Sequence, residues 1–183
     1  MMLTAMDRLS PTRQVVTFRL DQQSYALPVE TVIQVVEMVA MTRLPHIDGS
    51  VVGAINLHGE IIPIVDLRGH LQLPEAAHQR HTPILLAQAG QHSVGLIVDE
   101  VTEVVSITPD QIRQPVDILP AGVSARPLLQ GVVRQAAPAP LLLLDLQYLF
   151  QPSQVQALIE AIASLAHVHP YGTAGPVLHE GSG

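Results

Sequence analysis

The sequence predicts a mainly β protein: two small five-stranded β-barrels packed together, with a C-terminal α-helix laid across them. Three observations predict it. The hydrophobic fraction is 48%, yet aromatics make up only 3% and tryptophan is absent, so the core is aliphatic and β-branched, a composition that suits a pleated surface. Apolar runs come in pairs around short polar turns, as hairpins do. The chain also repeats itself. With VVTFRLDQQSYALPVETVIQVVE written above ILLAQAGQHSVGLIVDEVTEVVS, Leu27 falls on Leu96, Val29 on Val98, Val32 on Val101, Val35 on Val104 and Val36 on Val105. Gly53 to Leu71 then lies over Gly131 to Leu149, with Asp66-Leu67 on Asp145-Leu146.

Taken in order, residues 1–13 read as a flexible leader ended by Ser10-Pro11. VVTFRL, the polar turn Asp21-Gln22-Gln23 and SYALPV form a first hairpin. Val29, Val32, Ile33 and Val36 mix helical and strand spacing, which predicts one helical turn leading into a strand from about Ile33 to Val39. Thr42 to Ser50 is a loop. The segment GAINLHGEIIPIVDLRGHL, Gly53 to Leu71, reads as strand, turn at His58-Gly59-Glu60, strand and short helix. Its Pro63 suggests an edge strand or a bulge, because proline has no N–H for a ladder.

Gln72 to Thr82 is a polar linker. Beyond it ILLAQA, Gly90-Gln91 and SVGLIV make another hairpin, followed by a strand from Asp99 to Ile107 and a Pro-rich loop from Pro109 to Pro127. Leu128 to Val133, the turn AAPAP and LLLLD complete the second copy, and Asp145 to Phe150 is a short helix. A helix over residues 152–166 starts well, with Ser153 as N-cap and Val155, Leu158, Ile159, Ile162 and Leu165 at helical spacing. Residues 167–183, rich in Gly, Pro and His, are expected to be disordered. The copies span about residues 15–72 and 83–150. Roughly five strands suffice to close a barrel. Units of this size are marginal alone and should share a core, and strand trading between barrels stays open.

Composition narrows function. A formal charge of −7 with 9 Lys and Arg and no basic cluster argues against nucleic acid or an anionic membrane surface. There is no cysteine for a disulfide, thiolate ligand or nucleophile. Neither a signal peptide nor a spanning run is present, which predicts a cytoplasmic protein without membrane insertion. Phosphate-loop glycine patterns are missing. His78 and His81, and His167 and His169, have spacings that could share a metal, but no third ligand stands at ligand spacing and they read as solvated loop residues. Asp99, Glu100 and Glu103 read as a solvated edge, and Asp66 and Asp145 as helix N-caps. No catalytic group, cofactor or metal is expected. What remains are apolar residues beside single charges, the surface of a protein-interaction module.

GAINLHGEIIPIVDLR is similar to the GVxNLRGxIxPVVDLR segment of CheW-like chemotaxis coupling proteins, and VGLIVDEVTEVVSITPDQI resembles their G(I/L)VVDxVxEVLxLxxxQI segment. YALPVETVIQVVE and LLLLDLQYLF also fit, so the resemblance covers about Val15 to Phe150, within a domain of residues 14–151. It implies two SH3-like barrels and a non-enzymatic adaptor in chemotaxis or related chemosensory signalling. Such an adaptor links the cytoplasmic tip of a methyl-accepting chemoreceptor to the regulatory domain of a CheA-type histidine kinase, itself CheW-like. The two can bind barrel end to barrel end and build membrane-associated arrays. The resemblance further implies partner-binding roles for Glu37 with Val35, for Val51 and Gly53, for Gly95 and Val101, and for His58-Gly59. Family members usually carry Arg at the position of His58, which suggests a divergent partner, as in a non-flagellar pathway or a regulator that binds only one of the two.

Overall fold

A computed structural model describes residues 12–37, 41–42, 51–118, 128–134, 139–149, 156–157 and 159–164. The leader up to residue 11, most of the Thr42 to Ser50 loop, residues 119–127, most of the AAPAP turn and the tail lie outside the described residues.

Each copy of the repeat forms its elements in the expected order. The first comprises β1 (Arg13–Leu20), β2 (Gln23–Pro28), a 3-10 turn at Val29–Thr31, β3 (Val32–Glu37), β4 (Val51–Leu57), β5 (Glu60–Asp66) and α1 (Leu67–Leu71). The second comprises β6 (Pro83–Ala89), β7 (His92–Ile97), β8 (Glu100–Ile107), β10 (Leu129–Val133), β11 (Leu141–Leu144) and α3 (Leu146–Leu149). The Pro-rich segment, expected to be a loop, holds a 3-10 turn at Pro109–Gln111, a two-residue strand β9 (Ile112–Arg113) and α2 (Pro115–Ile118). Residues 156–157 and 159–164 are helical, inside the expected C-terminal helix.

The strands make two packed sheets, each curled into an SH3-like barrel, ordered β8-β1-β2-β11-β10-β9 and β3-β6-β7-β5-β4. Neither is one copy of the repeat: residues 15–72 and 83–150 are units of sequence, and every barrel draws on both. The first hairpin of each copy joins the second hairpin of the other through a parallel ladder, β2 with β11 and β7 with β5. The third strand of each copy crosses as well, β3 pairing with β6 and β8 with β1. Only the turn Val29–Thr31 separates β2 from β3, so the chain passes directly from one sheet to the other.

Both faces of most strands are buried, because alternate residues enter different cores. Ile84 and Leu86 enter one barrel interior and Leu85, Ala87 and Ala89 a central core between the sheets. Leu141 and Leu143 fill the other barrel while Leu144 faces the centre. This division explains why ILLAQA and LLLL read as continuous apolar runs rather than alternating ones. The central core takes Phe18, Leu20, Tyr25 and Leu27 from one sheet and Val65, Leu85, Val94 and Leu96 from the other. Phe18 stacks on Tyr25 with ring centroids 6.0 Å apart.

Pro63 is not on an edge strand, since β5 lies between β7 and β4, but the β4–β5 ladder does shift register beside it, between Val51 and Gly53. Its missing N–H is nevertheless tolerated. Opposite it, Ala54 exchanges both backbone hydrogen bonds with Thr42 instead, and the ladder with β7 begins only at Ile64. The C-terminal helix reaches the same sheet: Ile162 is buried against Ala54, with Val51 and Ile61 alongside.

A core shared by both sheets makes unfolding one event. Phe18→Ala should lower stability by about 3–5 kcal/mol and shift a single urea transition read together by circular dichroism and tyrosine fluorescence; separate transitions for two barrels would contradict the shared core. Burial, and then the nearby Asp21 carboxylate, raise the Tyr25 hydroxyl above the ordinary tyrosine range. The native state therefore favours the neutral phenol, and this stability is complete below pH ~10 and lost as the pH rises beyond. Tyr25→Phe should flatten the alkaline loss of stability measured by urea titration at pH 9 to 12.

Candidate partner-binding groove

The two crossing strands, β3 and β8, each end a sheet. With one neighbour apiece among the described residues, they hold three of the exposed large apolar side chains: Ile33 at 50%, Val35 at 46% and Val104 at 57%. Each is offset from its neighbour by a bulge, between Val32 and Gln34 in one ladder and between Val16 and Phe18 in the other. Bulged edges twist away from further strand pairing, so these edges offer side chains rather than a backbone ladder. The second bulge is held by Thr17, whose buried hydroxyl contacts Thr102 Oγ1 at 2.6 Å and donates to the Glu103 carbonyl at 2.9 Å.

Where the end of β3 approaches the start of β8 there is an open groove of about 340 Å³, lined by Val35, Val36, Glu37, His81, Pro83, Asp99, Glu100 and Val101. Its floor is aliphatic and its rim charged. Two rim acids have basic side chains beside them on the surface: Glu37 lies 3.5 Å from His81 and Glu100 lies 3.4 Å from Arg19. Exposed pairs of this kind contribute ~1 kcal/mol or less and leave the carboxylates available to a partner.

Asp99 differs. Arg68 is buried, and its Nη2 donates to both carboxylate oxygens of Asp99 while Nη1 donates to the Pro74 carbonyl at 3.0 Å. The same carboxylate accepts the Asp21 backbone N–H at 2.6 Å. Asp99 is thus a tied junction rather than part of a freely solvated acidic edge. Asp66 accepts from the Arg68 N–H and Asp145 from the Gln147 N–H, both at 2.9 Å, as N-caps of α1 and α3. His78 is not a free loop residue: its Nε2 sits 3.2 Å from Asp66 Oδ2. His78 and His81 therefore face different carboxylates, and His167 and His169 lie outside the described residues.

Of the residues that the resemblance marked for partner binding, the groove unites Val35, Glu37 and Val101. His58 and Gly59 stand elsewhere. The register Glu37↔Pro83, Ile84↔Ile97, Ile97↔Asp66 sets the groove at one end of its sheet, and the β4–β5 turn lies at the other, with Gly90-Gln91. His58 has φ 53 and Gly59 φ 93, the positive pair of a type I′ hairpin turn, and Asn56 Oδ1 accepts the Gly59 N–H at 2.9 Å. Val51 packs on Ile162 of the C-terminal helix and on the central core.

Gly53 and Gly95 are interior positions. A Cβ on Gly53 would meet the Thr42 carbonyl at 2.6 Å, and one on Gly95 would press on Ile64 and lie 2.9 Å from Ile84. Gly95→Ala should therefore cost about 1–3 kcal/mol of stability. Val35→Asp, at an exposed site, should stay within about 0.5 kcal/mol of the parent. Urea titration of the two variants checks this contrast, and equal stabilities would refute it.

Comparison with known proteins follows the same outline. The family model described as a CheW-like domain matches residues 14–154. The chain is 32% identical to a probable chemotaxis protein CheW of Rhizobium etli over 56% of its own length and 66% of that protein. It is 28% identical to the chemotaxis protein CheW of Treponema pallidum over 79% of this chain and 86% of that one. The crystal structure of the scaffolding protein TtCheW from Thermoanaerobacter tengcongensis matches with a TM-score of 0.69 at 26% identity, covering 79% of this chain and 96% of that chain. The fold, the order of the motifs and the extent of the match agree: the chain belongs to the CheW-like domain family.

Proposed function

We propose that this protein is a non-enzymatic adaptor that couples methyl-accepting chemoreceptors to a CheA-type histidine kinase in chemotaxis or a related chemosensory pathway. The family match over residues 14–154 carries the reading. The surface supports it: an open groove with an aliphatic floor and a charged rim suits docking. The adaptor binds the cytoplasmic tip of the receptor and the regulatory domain of the kinase, works in the cytoplasm at membrane-associated arrays, and transmits a signal by altering how the kinase is held. In this reading the receptor brings the adaptor to the membrane; no helix among the described residues is long and apolar enough to cross one.

A second reading is a divergent CheW-like regulator that binds only one of these partners in a non-flagellar pathway. His58 favours it, standing exposed at a turn tip where the family usually carries Arg. Arginine would bring a permanent charge and a five-donor fork to the tip, and the imidazole ring brings neither.

Purified protein should bind both a receptor cytoplasmic fragment and a kinase regulatory domain encoded beside it, measured by calorimetry. Kinase binding without receptor binding would select the second reading, and binding to neither would remove both. Glu37→Lys should weaken binding to at least one partner by about tenfold, or ~1.4 kcal/mol, with an unchanged melting temperature. His58→Arg should fold normally and alter receptor affinity without affecting kinase affinity; an unaltered receptor affinity would exclude the turn from the receptor site.

A further inference from the structure

We infer that Arg68 is a positioning residue for the groove: buried beneath it and outside its lining, Arg68 fixes the wall at Asp99 and so sets the shape a partner meets. This rests on the reading of the groove as a partner site.

Three observations carry the inference. The first is geometric. Asp99 lines the groove, and its backbone N–H donates to the Arg19 carbonyl at 2.9 Å while its carboxylate holds the Asp21 N–H. The carboxylate thereby pins the point where the chain leaves β7 in one sheet and enters β8 in the other, and the next residues, Glu100 and Val101, continue the wall. Arg68 in turn pins the carboxylate through one nitrogen and the Pro74 carbonyl of the linker through the other. Its side chain is only 7% exposed against 39% for Asp99, so it is out of a partner's reach.

The second observation is the internal repeat, which serves as a control. At the position equivalent to Arg68 the second copy has Gln147, exposed, and at the position equivalent to Asp99 the first copy has Glu30, which lies 3.4 Å from Arg13 instead. The N-cap and the short helix form there all the same. The fold thus makes this element without a buried arginine, and the clasp occurs in the copy whose Asp99 lines the groove.

The third is chemical. Guanidinium reaches a carboxylate and a carbonyl at once from a fixed plane, whereas an ammonium is a point charge on a flexible stem. Retaining the charge alone should therefore restore the wall only in part.

The test compares Arg68→Gln, the residue the second copy uses, with Arg68→Lys and with Val35→Asp as a direct groove variant. Arg68→Gln should weaken, by about tenfold, binding to the same partner that Val35→Asp loses, with Arg68→Lys in between. Native-state amide exchange should quicken about tenfold or more at Asp21 and Asp99 while Leu85 and Leu96 in the core keep their protection. Unchanged binding in Arg68→Gln overturns the inference. So does core exchange that rises as much as at Asp21, since Arg68 would then act only on global stability. Val35→Asp binding both partners normally would remove the groove reading itself, and the positioning role with it, whatever happens at the Asp21 amide.

Discussion

Everything in this structure depends on a layer of apolar side chains buried between two sheets. Each sheet also has a barrel interior, so most strands must bury residues on both faces, and strand alternation sorts neighbours into different cores. Leu85 and Leu86 are adjacent in sequence and belong to separate hydrophobic clusters. A small barrel alone buries too little surface to be secure. The central layer, built around Phe18, Leu27, Val65 and Leu96, makes the pair one cooperative body. Exchange of strands follows naturally, because β3 and β8 need only a short step across this layer to join the opposite sheet.

Much of this was legible in the residues. Paired apolar runs, the turns at Asp21, His58 and Gly90, and the capping aspartates 66 and 145 are local signals, and local chemistry decides them. Which hairpin pairs with which is not local. Leu142 pairs with Val132 of its own copy on one side, and on the other it would suit the first hairpin of that copy as well as Tyr25, its actual partner there, since a period of two looks the same for either neighbour. Pro63 misled for a related reason: proline reports a missing donor, and whether a ladder needs that donor depends on where Thr42 and β7 lie.

The candidate site was half legible. Val35, Glu37 and Val101 could be marked from motif resemblance, and folding draws them to one groove. Gly53 and Gly95 carry the same resemblance yet sit where a Cβ would collide with their surroundings, so a substitution there reaches the surface only through the packing beneath it. Arg68 escaped notice because a single arginine at the end of an apolar run normally signals a solvated helix terminus. The hints lay in the motif, which ends on this arginine, and in the repeat, where a capping Asp-Leu is kept and the arginine is not.

The parallel ladders have one more consequence. Tyr25 of β2 pairs with Leu142 of β11, so nearly the whole domain lies between partners in one sheet. During synthesis the first hairpin must wait, its apolar faces uncovered, until the last strand emerges from the ribosome. Pairing across such sequence distances is slow and exposes unfinished edges to other chains. The exchange that binds the two barrels into one body therefore also lengthens the time the newborn chain spends with unfinished edges.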